Sequence, residues 1–142
     1  MTLHLHNEDE TRAAAGRLAL HLRPGQAVAL SGELGAGKSF FARALMRALG
    51  VRDAALPSPT FALIQEYRAR DCRVAHMDWY RLKDAAEIEL LGVADYLRAP
   101  WIAIIEWPER APELLPADTL HLRLSHGERP EERLLEGLPA RL

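Results

Sequence analysis

Gly32-Glu33-Leu34-Gly35-Ala36-Gly37-Lys38-Ser39 fits the pattern G-x-x-x-x-G-K-[ST] at every fixed position. Ala27-Val28-Ala29-Leu30 precede it as an apolar run, and Phe40 to Leu49 follow with helical periodicity. Strand, glycine-rich loop and helix in that order are the context in which such a loop cradles an anion. Gly32, Gly35 and Gly37 carry no Cβ, so the backbone there can curl and turn its N–H groups inward. A helix beginning near Lys38 adds the positive end of its dipole.

The loop therefore reads as a phosphate-binding element. The backbone of Glu33 to Gly37 would line the phosphates, Lys38 would bring a point charge to their β and γ groups, and the Ser39 hydroxyl would face Mg²⁺. The chain holds sixteen arginines and two lysines, Lys38 and Lys83. In so lysine-poor a sequence, a lysine standing where the pattern requires one strengthens the reading.

The rest of the chain supplies a frame. Thr2 to His6 alternates and reads as an edge strand. Asn7 and Glu10 form a capping-box pattern before a helix from about Glu8 to Leu22. Gln26 to Ser31 is the strand feeding the loop, and Gly50 suits a left-handed cap after Leu49. Arg52 to Pro59 is a linker stiffened by prolines. Thr60 to Tyr67 and Arg73 to Asp78 read as strands closed into a hairpin by Arg68–Cys72. Asp84 caps a helix to Leu91, and Val93 to Arg98 is a second helical piece. Trp101 to Glu106 is nearly all apolar, as in a strand covered on both faces. Thr119 to Ser125 alternates, and Glu132 to Glu136 is a weak last strand. These elements predict one α/β domain over residues 1–142, a phosphate-loop NTPase-like three-layer fold. Its central sheet is mostly parallel, with antiparallel strands at the flanks.

Two acids end apolar strands. Ligands in open α/β sheets collect at strand carboxyl ends, so both can face the loop. Glu106 reads as the Walker B acid that holds Mg²⁺, and Asp78 as an acid that acts behind the metal or orients water. Each could instead cap the turn that follows it. A hydroxyl such as Thr60 in Pro57-Ser58-Pro59-Thr60-Phe61 could sense a γ-phosphate, although position alone favours a rigid connector.

Composition sets limits. The net charge of −2 over 142 residues provides no general drive toward nucleic acid or anionic membrane. Any RNA connection is expected to pass through a partner or a local patch. A single cysteine, Cys72, excludes an internal disulfide and suits a reducing cytoplasm; no activating base adjoins it. No signal peptide or membrane span is expected. The chain contains no N-K-x-D element for guanine, and no arginine-rich lid of the kind a small phosphate-loop kinase would need is evident. That kinase, and a nucleotide-gated binding module with negligible turnover, remain the alternatives to an ATPase.

Together with the loop, Ser58-Pro59-Thr60-Phe61, His76-Met77-Asp78-Trp79-Tyr80-Arg81-Leu82 and Ile105-Glu106-Trp107-Pro108-Glu109 resemble the TsaE (formerly YjeE) family. This is the ATPase component of bacterial tRNA threonylcarbamoyladenosine synthesis. Leu91-Gly92 with Asp95-Tyr96 also resembles it. The resemblance covers about Thr11 to Glu109. It implies ATP or ADP bound at Lys38 and the loop backbone, with Mg²⁺ on Ser39 and Glu106. It implies that Asp78 is needed for hydrolysis, that Thr60 lies in a switch-like segment and that Thr11 touches the nucleotide. The partners it implies are TsaD and TsaB homologues. These carry the chemistry on tRNA, and ATP hydrolysis resets their complex between turnovers. The tail after Ser125 matches nothing in the family pattern.

Overall fold

The computed structural model describes residues 1–53, 55–56 and 63–142. Seven strands form one sheet in the order β1-β7-β6-β2-β5-β4-β3. They are β1 (Thr2–Leu5), β2 (Ala27–Ser31), β3 (Ile64–Arg68), β4 (Arg73–Asp78), β5 (Trp101–Glu106), β6 (Leu120–His126) and β7 (Arg133–Glu136). The central pairs β6·β2, β2·β5 and β5·β4 are parallel. The flanking pairs β1·β7, β7·β6 and β4·β3 are antiparallel. The expected phosphate-loop NTPase-like architecture is therefore the observed one, with β1 at one edge as its alternation suggested.

Helices α1 (Glu8–Ala19) and α2 (Lys38–Leu49) cover one face. The buried residues of α2 are Lys38, Phe41, Ala42, Leu45 and Met46, a spacing of three and four that keeps them on one stripe. The four apolar ones pack with Leu18 of α1 onto Val28, Leu30, Val74 and Ile104 of the sheet. On the other face Ala27, Ala75, Met77, Ala103 and Ile105 lie under Trp79, Leu82, Ile88 of α3 (Ala85–Glu89) and Val93. Successive residues of β4 and β5 alternate between these two layers, which is why β5 reads as a nearly continuous apolar run and β4 as one broken by His76.

Several boundaries move for local reasons. Helix α1 stops at Ala19, not Leu22. The Leu20 N–H bonds back to the Arg17 carbonyl at 3.3 Å and tightens the last turn, while Leu22 still packs on the core. Its capping box is shifted: Asn7 Oδ1 accepts the Glu10 N–H, but the Glu10 carboxylate accepts the His6 N–H instead of that of Asn7. Strand β3 begins at Ile64 because Leu63 turns the chain with φ 51°. The expected start at Thr60, and the Pro57–Phe61 segment itself, lie outside the described residues. Helix α3 keeps its Asp84 cap, with Oδ1 accepting the Glu87 N–H, but spans five residues. The piece after Gly92 is one 3₁₀ turn, Val93–Tyr96.

The first glycine of the loop is required by packing as well as conformation. Gly32 has φ 142°, and a Cβ there would lie 2.2 Å from the Leu124 carbonyl oxygen of β6. Gly32→Ala is expected to destabilise the fold by about 2–3 kcal/mol, because backbone rather than a flexible side chain must yield. Chemical denaturation of the two proteins checks it.

Candidate nucleotide site

The carboxyl ends of β2, β4 and β5 meet the N-terminus of α2. Gly35 and Gly37 hold φ 81° and 99°, so the loop curls as its glycines allow, and Gly37 precedes the first turn of α2 with no side-chain cap. The N–H groups of that turn remain directed at the loop mouth. Lys38, the first residue of α2, is buried. Its Nζ donates to the carbonyl oxygens of Gly32 and Glu33, the latter at 3.2 Å, and lies 4.1 Å from the centre of the Trp107 ring. Burial pulls the Lys38 pKa down, and the carboxylates of Glu106, Glu109 and Asp78 partly restore it.

Glu106 ends β5 and is buried, on the same face as α2. Ser39 Oγ donates to its Oε1 at 3.0 Å and approaches Oε2 at 3.3 Å. His76 Nε2 lies 2.6 Å from Oε2. Asp78 is the register partner of Glu106 across the parallel β4·β5 pair, so the two carboxyl groups sit side by side. Asp78 Oδ1 accepts the Tyr80 N–H at 2.9 Å. Burial raises the Asp78 pKa, with the Glu106 charge adding to it, against the Tyr80 N–H, His76 and Lys38.

That shift fixes the sign of a pH effect. A carboxyl whose folded pKa is raised favours folding below its unfolded value, near 3.8, and loses that contribution as pH rises through the folded value. At neutral pH an ionised Asp78 is thus a cost. Asp78→Asn, which keeps the acceptor for Tyr80, is expected to raise Tm at pH 7 by roughly 2 °C. The gain should vanish toward pH 4; thermal melts across that range read it directly.

Beside the loop lies a cavity of about 390 Å³ lined by Thr11, Ala36, Gly37, Phe40, Leu124 and Arg133, among others. Its walls are mainly apolar with a few polar groups, the usual make-up of a small-molecule pocket. Thr11 of α1 reaches it, its hydroxyl donating to the Asn7 carbonyl at 3.4 Å. A larger cavity of about 450 Å³ lies around Arg52, Arg68 and Arg70 at the other end of α2, and none of the loop residues lines it.

Glu33, Leu34, Gly35, Ala36, Gly37, Lys38, Ser39, Asp78 and Glu106 thus converge, and Thr11 joins them through the side cavity. Thr60 lies outside the described residues. Three further residues enter the site. Arg133 Nε donates to the Ala36 carbonyl at 3.0 Å, bracing the loop from β7, and no local pattern in the tail signals it. His76 betrays itself only as a polar residue at an inward position of a buried strand. Trp107, at φ 59°, turns sharply after Glu106 and packs tilted against Tyr80 with ring centroids 4.8 Å apart; Arg110 lies over the Tyr80 ring at 5.5 Å. Cys72 is half-buried and its thiol pKa is raised by burial, which agrees with an unreactive role.

Magnesium is a hard cation that favours oxygen donors, commonly one or two carboxylates together with phosphate and water. A serine hydroxyl already 3.0 Å from a buried carboxylate, with a second carboxyl at the adjacent strand end, fits that ion.

The family model for threonylcarbamoyl adenosine biosynthesis protein TsaE matches residues 5–134. The tRNA threonylcarbamoyladenosine biosynthesis protein TsaE of Rickettsia conorii is 39% identical over 120 residues, covering 84% of this chain and 68% of the relative. Its namesake in Bacillus subtilis is 36% identical over 116 residues, covering 82% and 72%. The crystal structure of Bacillus subtilis YdiB superposes with a TM-score of 0.79 at 28% identity, covering 95% of this chain and 82% of that one. A family model matched over most of the chain, and relatives more than a third identical over about four fifths of it, show that the chain belongs to the TsaE family of tRNA threonylcarbamoyladenosine biosynthesis proteins.

Proposed function

We propose that this chain binds ATP at Gly32–Ser39, hydrolyses it to ADP and phosphate with Mg²⁺, and serves tRNA threonylcarbamoyladenosine synthesis through TsaB and TsaD homologues in the cytoplasm. The observation that carries the proposal is the Ser39–Glu106 contact at 3.0 Å beside Lys38. It joins the loop's hydroxyl to a strand-end carboxylate at the place where phosphate-bound metal belongs.

In this reading Lys38 exchanges the Gly32 and Glu33 carbonyls for phosphate oxygens, and the loop N–H groups take the β-phosphate. The nucleoside extends into the cavity beside Thr11, Phe40 and Arg133. Ser39 and Glu106 would hold Mg²⁺, which would supply neutralisation of phosphate charge. Asp78, the acid whose pKa is raised by burial, orients the water whose oxygen attacks the γ-phosphorus as the bond to the bridging oxygen breaks. The acidic balance of the chain leaves contact with tRNA to the partners. Among the described residues no helix is long and apolar enough to cross a membrane.

The test has two arms. Phosphate release from ATP is measured with and without Mg²⁺, alone and with purified TsaB and TsaD homologues. Metal-dependent release that the partners raise supports the proposal. Transfer of phosphate to a small acceptor would assign a kinase instead, and ATP binding without release would leave a gating module.

A further inference from the structure

The geometry points to His76 as the positioning residue that holds the Glu106 carboxylate in the orientation the metal site needs. The inference rests on the reading of Glu106 as the metal-holding acid.

The observation begins with a misfit in the strand pattern. Position 76 of β4 faces the same layer as Val74 and Ile104, where apolar side chains pack under α2. A fully buried imidazole stands there instead. His76 pairs in register with Ile104, two residues before Glu106, so its ring reaches diagonally along the sheet to Oε2 at 2.6 Å. A carboxylate only accepts hydrogen bonds, so Nε2 carries the proton of this contact. The other nitrogen, Nδ1, is buried without a partner among the described residues. Leaving a buried polar atom unpaired is costly, so shape alone would be served better by leucine. What leucine cannot do is donate to Glu106.

The consequence concerns the carboxylate's freedom. Ser39 lies against both oxygens, at 3.0 and 3.3 Å, from the loop side. His76 holds Oε2 from the core side, on a neighbouring strand of the rigid sheet. With both contacts the carboxyl plane is defined before any ion arrives; with Ser39 alone it can rotate. Partners of this kind behind a metal ligand are typically worth about 10–100-fold in metal affinity or activity. His76 is fully buried and its ring contact is with the Glu106 carboxylate, so its effect passes through Glu106.

The experiment measures ADP binding by tryptophan fluorescence as Mg²⁺ is titrated, for the wild-type chain, His76→Leu, His76→Gln and Glu106→Ala. Thermal melts and ADP binding without metal are recorded alongside. His76→Leu is expected to keep its melt and its metal-free ADP affinity, while the Mg²⁺ midpoint rises about tenfold. Gln carries an N–H that can reach Oε2, so His76→Gln should stay within about threefold of wild type. If leucine does not fold, His76→Asn, too short to reach Glu106, replaces it with the same expectation. An unchanged midpoint in the leucine variant beside a shifted one in Glu106→Ala overturns the role of His76 and leaves that of Glu106 standing. No shift in either overturns the reading of Glu106 and the inference with it. A shift that Gln does not rescue, or a parallel loss of metal-free ADP binding, assigns His76 to packing and also overturns it.

Discussion

Lys38→Ala is expected to lower ATP turnover by at least about a hundredfold, the usual scale for removing a preorganised group that stabilises transferring charge. Lys38 is the cation that opens α2, and its Nζ is held over the loop by two of the loop's own carbonyls and the Trp107 ring. Little reorganisation is needed to bring it to a phosphate. Its lowered pKa reflects burial, and arriving phosphate charge would reverse that cost. Alanine removes the charge and takes the Lys38 donor from the Gly32 carbonyl, while the Glu33 carbonyl keeps the Ala36 N–H. ADP affinity should fall together with turnover. Phosphate release and an ADP titration check both, and unchanged turnover would remove the loop from the chemistry.

Glu106→Ala is expected to reduce Mg²⁺-dependent hydrolysis by about a hundredfold while changing metal-free ADP binding far less. The carboxylate lies behind Ser39 rather than on the loop, so the backbone cradle survives its loss. The same change should destabilise the fold by about 1–3 kcal/mol, because the buried His76 Nε2–H loses its acceptor. Glu106→Gln keeps an acceptor oxygen for one neighbour and should recover stability without recovering metal dependence. Chemical denaturation set beside Mg²⁺ titration separates the two effects. Trp107 sits directly after Glu106 and against Lys38, so a chain retaining only that tryptophan should report nucleotide by its fluorescence.

The reach of local sequence differs from one element to the next. Strand β2, the loop and α2 are contiguous, and their apolar, glycine and periodic signals act within about 20 residues. The buried stripe of α2 and its Gly50 cap at φ 101° follow that pattern residue by residue. Strand-end acids were legible too, because Asp78 and Glu106 close apolar runs that few polar residues interrupt. Helix ends were read less well. The stop of α1 at Ala19 depends on which carbonyl the Leu20 N–H chooses, and that choice involves little energy. The short α3 likewise stops at Glu89, three residues before the left-handed Gly92.

The shape of the glycine-rich loop was written locally, since a few glycines, one lysine and one hydroxyl suffice to shape and charge a single turn. The place of β7 between β1 and β6 was not, and with it came Arg133, which braces the loop at Ala36 from 97 residues away. Nor was the diagonal contact by which His76 grips Glu106 across two strands. Such contacts arise from the order in which strands pair and from the register each pair adopts. Those are fixed by burial summed over the whole sheet, a quantity that no short stretch of chain carries.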